Sequence, residues 1–114
     1  MAYNTKLADR IREALVDLPS VTEKEMFRGI CFMVNDKMCV CVSGDEMMCR
    51  IGAEAAELAL ENNDVRQMTS RGIPMKDYVY VSEEAWHNQK DFDHWIKLCL
   101  DFNPKAKASK KKSK

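Results

Sequence analysis

Five cysteines are the residues of this chain whose chemistry could be nucleophilic, redox or metal-binding. None belongs to a Cys-x-x-Cys pair, and Cys39 and Cys41 fall on one face of a predicted strand. Cys31 and Cys49 are separated by that strand at roughly 10 Å, two strand spacings, which is beyond disulfide reach. We therefore expect five reduced, buried thiols. A metal site is the less favoured alternative. A nucleophile would need a partly exposed, electropositive setting, for which Cys39 and Cys41 are the candidates.

The two histidines, His87 and His94, are seven residues apart without a cysteine or carboxylate at metal-ligand spacing. They are interpreted as surface or helix-end residues. The sequence also lacks a G-x-S-x-G elbow, a P-loop and a G-x-G-x-x-G motif. The prediction is a protein that is not an enzyme, with no catalytic residue, no cofactor and no metal.

Four cations form a candidate site for a partner or an anion: Arg28, Arg50, Arg71 and Lys76. Arg50 is the most informative of them, because an arginine inside an apolar strand is costly to desolvate unless it meets a carboxylate, an anion or a carbonyl. An acidic side chain of the same domain, such as Asp36 or Asp77, is the favoured partner. A partner protein or an anionic ligand is the alternative.

Charge is distributed unevenly along the chain. The residues before Pro104 include all 18 acidic residues and 12 basic ones, a net charge of −6. The candidate nucleic-acid-binding tail carries the remaining six lysines: Lys105, Lys107, Lys110, Lys111, Lys112 and Lys114. Phosphate binding needs clustered cations, so nucleic-acid binding is expected to be weak, sequence-independent and confined to this tail.

Residues 25–51 read as three consecutive antiparallel strands with reversals at Asn35-Asp36 and Gly44-Asp45. Two-residue turns would pair Val34 with Lys37, Phe32 with Cys39, Val42 with Met47 and Val40 with Cys49. One face, the predicted core, collects Cys31, Met33, Met38, Val40, Val42, Met47, Cys49 and Ile51. The opposite face carries Ile30, Phe32, Val34, Lys37, Cys39, Cys41, Met48 and Arg50. A slip of one residue would exchange the faces.

The second face is too apolar for a solvated surface, so it predicts a contact with a partner. Ile30, Phe32, Val34 and Met48 form a candidate dimer face, and a homodimer is expected.

The remaining elements are helices and two further strands. Residues 4–18 form an amphipathic helix with Asn4 as a possible N-cap, and a more polar strand over 22–27 leads into the hairpins. A short helix follows Gly52, strands 65–69 and 78–81 flank a loop, and a last helix buries Phe92, Trp95, Ile96 and Cys99. The prediction is an α+β domain over 1–103 with a mainly antiparallel sheet, order α-β(4)-α-β(2)-α, and a disordered tail over 104–114.

Several blocks of this sequence, in this order, resemble the TfoX N-terminal domain family, related to the competence regulator TfoX/Sxy. They are MFRGICFMVNDKM, then Arg50-Ile51-Gly52, then RGIPMKDYVYV, and finally Trp95-Ile96 with Phe102 before a lysine tail. The resemblance covers about residues 3–104. This chain departs from the family where Arg28 and Asp77 replace glycines.

The resemblance implies a fold similar to those of secretion chaperones and YjbR-like proteins. It also implies a stand-alone N-terminal domain that is a small cytoplasmic protein, of the kind linked to bacterial competence and transcription regulation. Two functions follow from these observations. The favoured one is a regulatory module that acts through contacts with an unidentified protein. The alternative is weak direct binding of nucleic acid by the lysine tail with help from Arg28, Arg50 and Arg71. No membrane association is expected, since no apolar run approaches membrane length.

Overall fold

The computed structural model describes residues 3–26 and 29–106. The chain has the predicted α+β architecture, and the predicted order of elements is confirmed, with the last helical region divided in two. The elements are α1 Thr5–Ala14, β1 Val21–Met26, β2 Gly29–Val34, β3 Lys37–Ser43, β4 Glu46–Arg50, α2 Ala53–Ala59, β5 Val65–Ser70, β6 Ile73–Val81, α3 Glu83–Trp86, α4 Gln89–Phe102 and a 3-10 turn Asn103–Lys105.

The six strands form one sheet in the order β1-β2-β3-β4-β6-β5, and each neighbouring pair is antiparallel. The β2–β3 turn is the predicted one, because Asn35 and Asp36 have φ values of 56° and 64°, in the left-handed region that such turns require. A second tight turn, at Arg71-Gly72, joins β5 to β6. The loop predicted between the last two strands was therefore wrong, since β6 already begins at Ile73.

One irregularity decides which residues face the helices. Val34 pairs with Lys37 as predicted, but Phe32 pairs with Val40, so Cys39 is an extra residue in β3. Such a bulge turns two consecutive side chains toward one face. Cys39 and Val40 accordingly both belong to the core beneath the helices.

This bulge corrects the predicted faces of β2. Ile30, Phe32 and Val34 are buried in the helix-covered core, so the prediction that they form an uncovered dimer face was wrong. Met48 does lie on the opposite face, as predicted. The homodimer stays a prediction, but the surface that suggested it is not available for it.

The helices pack on one face of the sheet. Asn4 caps α1 as predicted, since its side chain accepts a hydrogen bond from the Leu7 amide at 3.0 Å. Buried residues of α1, α2, α3 and α4 all join the same core cluster, and the predicted core positions Phe92, Trp95, Ile96 and Cys99 are among them. Residues of α2, α3 and α4 in this layer line the cleft described below.

The other face of the sheet carries a second, smaller cluster, here called the sulfur-rich face. Its buried members are Cys31, Cys41, Met48 and Met68, and Met38, Met75, Tyr78 and Tyr80 pack around them, partly buried. None of the buried helical residues in the described chain belongs to this cluster. The sheet therefore separates two apolar clusters of different chemistry.

The end of the described chain is tied to the β2–β3 turn. The buried Asn103 donates a hydrogen bond to the Val34 carbonyl and accepts one from the Asn35 side chain, each at 3.0 Å. Ala106 is also buried, and its amide donates to the carbonyls of Phe102 and Asn103. Five of the six predicted tail lysines, from Lys107 onward, lie outside the described residues.

Candidate partner-binding cleft

A cleft of about 540 Å³ lies where α2, the α3–α4 pair and the start of β5 meet. Its apolar lining comes from α2, α3 and α4: Ala55, Leu58, Ala59, Ala85, Trp95 and Leu98. Leu58 stands out on the rim because the residue is 66% exposed. A partner that covers this exposed leucine and the apolar floor beside it would remove apolar surface from water, which favours binding.

Carboxylates dominate the polar part of the lining. Asp64, Glu84 and Asp91 line the cleft together with Asn62 and His94, and no lysine or arginine is among its lining residues in the described chain. All three carboxylates are solvent-exposed. The cleft is thus apolar at its floor and negatively charged at its edge.

Local hydrogen bonds fix the positions of the Asp91 and Trp95 side chains. Asn88 is the N-cap of α4: its side chain accepts from the Asp91 amide and donates to the Asp91 carboxylate, both at 2.9 Å. Asp91 therefore lies in the first turn of α4, where the helix dipole favours an anion. Trp95 is fixed in the floor because its indole Nε1 donates to the Ala85 carbonyl at 2.9 Å. One carboxylate of the rim and one aromatic ring of the floor are therefore held in position by contacts within the domain.

The family model described as "TfoX N-terminal domain" matches residues 13–103, which include every element from β1 to α4 and most of the cleft's surroundings. The chain belongs to the TfoX N-terminal domain family. No curated protein and no solved structure matches it. The resemblance read from the sequence blocks is thereby confirmed.

In this TfoX N-terminal domain the three described members of the predicted cationic site have different surroundings. Arg50 lies on the sulfur-rich face, where its guanidinium is 5.4 Å from the Tyr78 ring centroid and donates to the Met38 carbonyl at 3.4 Å. Arg71 is exposed at the β5–β6 turn, and Lys76 lines a shallow pocket beside α2. Arg28 lies outside the described residues. The shared anion site stays a prediction.

In this TfoX N-terminal domain Asp77 contributes to the fold through its backbone carbonyl. Its backbone carbonyl accepts hydrogen bonds from the amides of Ile51 and Gly52, at 2.8 and 3.1 Å. The carbonyl thus joins β6 to the junction between β4 and α2. An aspartate in place of the family's glycine leaves this main-chain contact intact.

The cysteines correct a second prediction about this TfoX N-terminal domain. Cys31 and Cys41 are joined by a disulfide, so the expectation of five free thiols was wrong for these two. The bulge at Cys39 is the reason, because it brings Cys41 directly opposite Cys31 in the register. Sequence reasoning had placed the two sulfurs on different faces.

The other three cysteines, Cys39, Cys49 and Cys99, are free and buried in the helix-covered core. A hydrogen bond to Cys99 and then burial raise the pKa of Cys39. The pKa of Cys99 is also raised: the hydrogen bond from Cys39 lowers it, but the hydrogen bond to Cys49 and burial outweigh that effect. Protonated thiols are poor nucleophiles, so Cys39 lacks the setting that a catalytic cysteine needs.

The histidines occupy exposed positions on and beside α4. His94 stacks edge-on against Trp95 at 5.5 Å, and His87 lies 3.8 Å from the Glu83 carboxylate. Among the described residues, no group of three or more His, Cys, Asp and Glu side chains is arranged to hold a metal ion. Within residues 3–26 and 29–106, none of the helices has both the length and the apolar character that crossing a bilayer requires.

The cleft could hardly be predicted from the sequence. Its acidic members come from the β5 entry, α3 and α4, which are separated by up to 27 positions between Asp64 and Asp91. Leu58 was available as a signal, because it lies on an Ala- and Leu-rich helix with too many apolar residues for one buried stripe.

Proposed function

We propose that this chain is a cytoplasmic regulatory module of the TfoX type that acts by binding another protein, and that the cleft between α2, α3 and α4 is the binding site. The observation that carries the proposal is the exposed Leu58 beside an apolar floor and a carboxylate rim. The partner that fits is a basic amphipathic helix. Its apolar face would cover Leu58, Leu98 and Trp95, while its lysines or arginines would meet Asp64, Glu84 and Asp91.

Charge argues for a protein rather than a nucleic acid at this site. Phosphates would be repelled by the three carboxylates of the cleft, and the chain before Pro104 has a net charge of −6. Complementary charge at the rim steers a cationic partner and suppresses others, while the apolar floor supplies most of the affinity. An effect on transcription would then be indirect, through the partner that is bound.

The proposal is tested with a synthetic amphipathic helix of leucine and lysine, titrated into the isotope-labelled protein while amide chemical shifts are followed. The largest shifts are expected at Leu58, His94 and Leu98 in α2 and α4. Leu58→Glu should weaken binding at least about tenfold, because it removes an apolar side chain that the partner's apolar face would cover. Reversal of the rim in Asp64→Lys/Asp91→Lys should weaken binding by a similar factor and reduce its dependence on salt.

Ile73→Glu is the matched control, since Ile73 is 64% exposed, close to the 66% of Leu58, but lies on the β5–β6 hairpin away from the cleft. The control should bind as the unmodified protein does. Equal weakening by the two glutamate variants would show non-specific apolar association and contradict the proposal. Binding of a leucine and glutamate helix with the same affinity would contradict the role of the carboxylate rim.

A further inference from the structure

We propose that the sulfur-rich face is a Cu(I)-binding site, formed by the thiolates of Cys31 and Cys41 and the thioether of Met48 once the disulfide is reduced. The proposal rests on one row of cross-strand neighbours. The register places Lys24, Cys31, Cys41, Met48, Tyr80 and Arg66 side by side across the sheet.

The geometry of the row brings three sulfur donors together. The Cα atoms of Cys31 and Cys41 are 4.0 Å apart, the close spacing of a directly opposed antiparallel pair. Met48 is the partner of Cys41 on the next strand, about 4.8 Å away in the hydrogen-bonding direction. Met68 packs in the same buried cluster and offers a further thioether. All four side chains come from strands of one sheet, which fixes their relative positions.

The type of ligand atom indicates which metal ion this site would bind. Thiolate and thioether sulfurs are soft ligands and favour Cu(I), whereas Mg²⁺ and Ca²⁺ require oxygen ligands. Reduction of the disulfide takes two electrons from a thiol or a phosphine, and the two protons come from the thiol or, when a phosphine is used, from water. Binding then exchanges two S–H bonds for two Cu–S bonds and releases two protons, while copper stays in the +1 state.

Cations near the row would stabilise the Cu(I)-dithiolate group. Two thiolates and one Cu(I) carry a net charge of −1, which is costly to bury unless cations lie near. Lys24 is the cross-strand neighbour of Cys31, and Arg50 lies on the same face two residues after Met48. The guanidinium of Arg50 stays on this face through its contacts with Tyr78 and the Met38 carbonyl.

The three other cysteines are less accessible to the same ion. Cys39, Cys49 and Cys99 lie in the main core beneath α4, among apolar side chains. The sulfur-rich face is instead bordered by the partly exposed Met38 and Met75. Met68 and Met75 belong to the β5–β6 hairpin, whose end is exposed at Ile73. Local opening of this hairpin gives copper a route that the core lacks.

The reduced protein is prepared with a phosphine, which is then removed. The test is a competition for Cu(I) between the protein and a chromogenic chelator, without oxygen and with ascorbate, which keeps copper in the +1 state and leaves a disulfide intact. The reduced protein is expected to take one Cu(I) per chain from the chelator. The same protein with its disulfide kept intact should take none at this site, and this comparison changes no residue. Cys31→Ser and Cys41→Ser should each lose the site, and Met48→Leu should weaken it at least about tenfold.

Cys39→Ser/Cys99→Ser is the matched control and should bind copper as the unmodified protein does. X-ray absorption at the copper edge should show sulfur ligands alone. Equal uptake by the oxidised and reduced proteins, loss of uptake in the control, or nitrogen and oxygen ligands at the copper would each overturn the proposal. Retained uptake in a folded Cys31→Ser variant would do the same, with folding checked by circular dichroism.

Discussion

Phe32 lies opposite Val40 rather than opposite Cys39, and this single step of register sets both faces of the sheet. It places Phe32 beneath the helices with none of its surface exposed, where the Arg12 guanidinium lies 5.8 Å from its ring centroid. The same step puts Cys31 and Cys41 together on the opposite face. A bulge of one residue thus assigns an aromatic ring to the core and a pair of thiols to a separate cluster.

The first prediction concerns Phe32→Asp. If Phe32 lay on a dimer face, this variant would be a folded monomer. Because Phe32 is fully buried, the aspartate should leave a cavity and a buried charge, and the free energy of unfolding should fall by about 4 kcal/mol or more. Urea denaturation followed by circular dichroism measures the loss. Ile73→Asp, at an exposed site, should change stability by about 0.5 kcal/mol or less. A stable, monomeric Phe32→Asp protein would show that Phe32 lies on a dimer face after all.

A second prediction tests the close approach of β2 and β3 at Gly29. A Cβ atom at this position would lie 1.7 Å from the Val42 carbonyl oxygen, which is a backbone atom and cannot rotate away. Gly29→Ala should therefore destabilise the fold by about 3 kcal/mol or more. Gly44→Ala is the control: its Cβ would meet nothing within 4 Å, and its φ of +60° should cost about 1–2 kcal/mol. Equal losses in the two variants would show that the β2–β3 register is incorrect.

A third prediction concerns pH and the ion pair between α1 and β1. Arg12 donates two hydrogen bonds to the Glu23 carboxylate, at 2.7 and 2.9 Å, and these bonds lower the pKa of Glu23 below its ordinary value of 4.5. A lowered pKa in the folded state means that the stabilisation is complete above pH 4.5 and is lost as the pH falls through the folded pKa. Solvent reaches this pair, so its contribution should be about 1 kcal/mol or less.

Glu23→Gln should accordingly lower stability at pH 7 and have little effect at pH 2, as measured by thermal unfolding. Glu25→Gln, at an exposed site on the same strand, is the matched control and should change stability at pH 7 by about 0.5 kcal/mol or less. A Glu23→Gln effect that persists undiminished in acid would contradict the role assigned to the ion pair.

The fourth prediction concerns nucleic acid and residues 107–114. Five lysines lie in this segment, so duplex binding should be weak and independent of sequence, with a salt dependence set by about five phosphates or fewer. The boundary for deletion is 106, because Ala106 is buried and hydrogen-bonded to the end of α4. Removal of residues 107–114 should abolish binding and leave the melting temperature unchanged. Tight, salt-resistant binding of one duplex by the shortened chain would replace the protein-binding proposal with direct DNA recognition.

Much of this fold could be predicted from local patterns. Asn4 is the N-cap of α1, and the Asn35-Asp36 pair adopts the left-handed conformation of the predicted turn. The spacing of the apolar residues Phe92, Trp95 and Cys99 identifies the buried side of α4. These features depend on residues within a few positions of each other. The order of the elements and the family follow from the same local signals.

The faces of β2 and the pairing of the cysteines were decided by tertiary structure. Side chains alternate along a strand, so one bulged residue, Cys39, reverses the predicted faces of β2 and of the β3 residues before Val40, and nothing local in the sequence marks the bulge. The cleft required packing too, because Leu58, Asp64 and Asp91 belong to different elements. Their convergence depends on how α2, α3 and α4 cover the sheet. The sequence alone determined the architecture, whereas long-range packing determined which side chains meet and therefore what this TfoX N-terminal domain can bind.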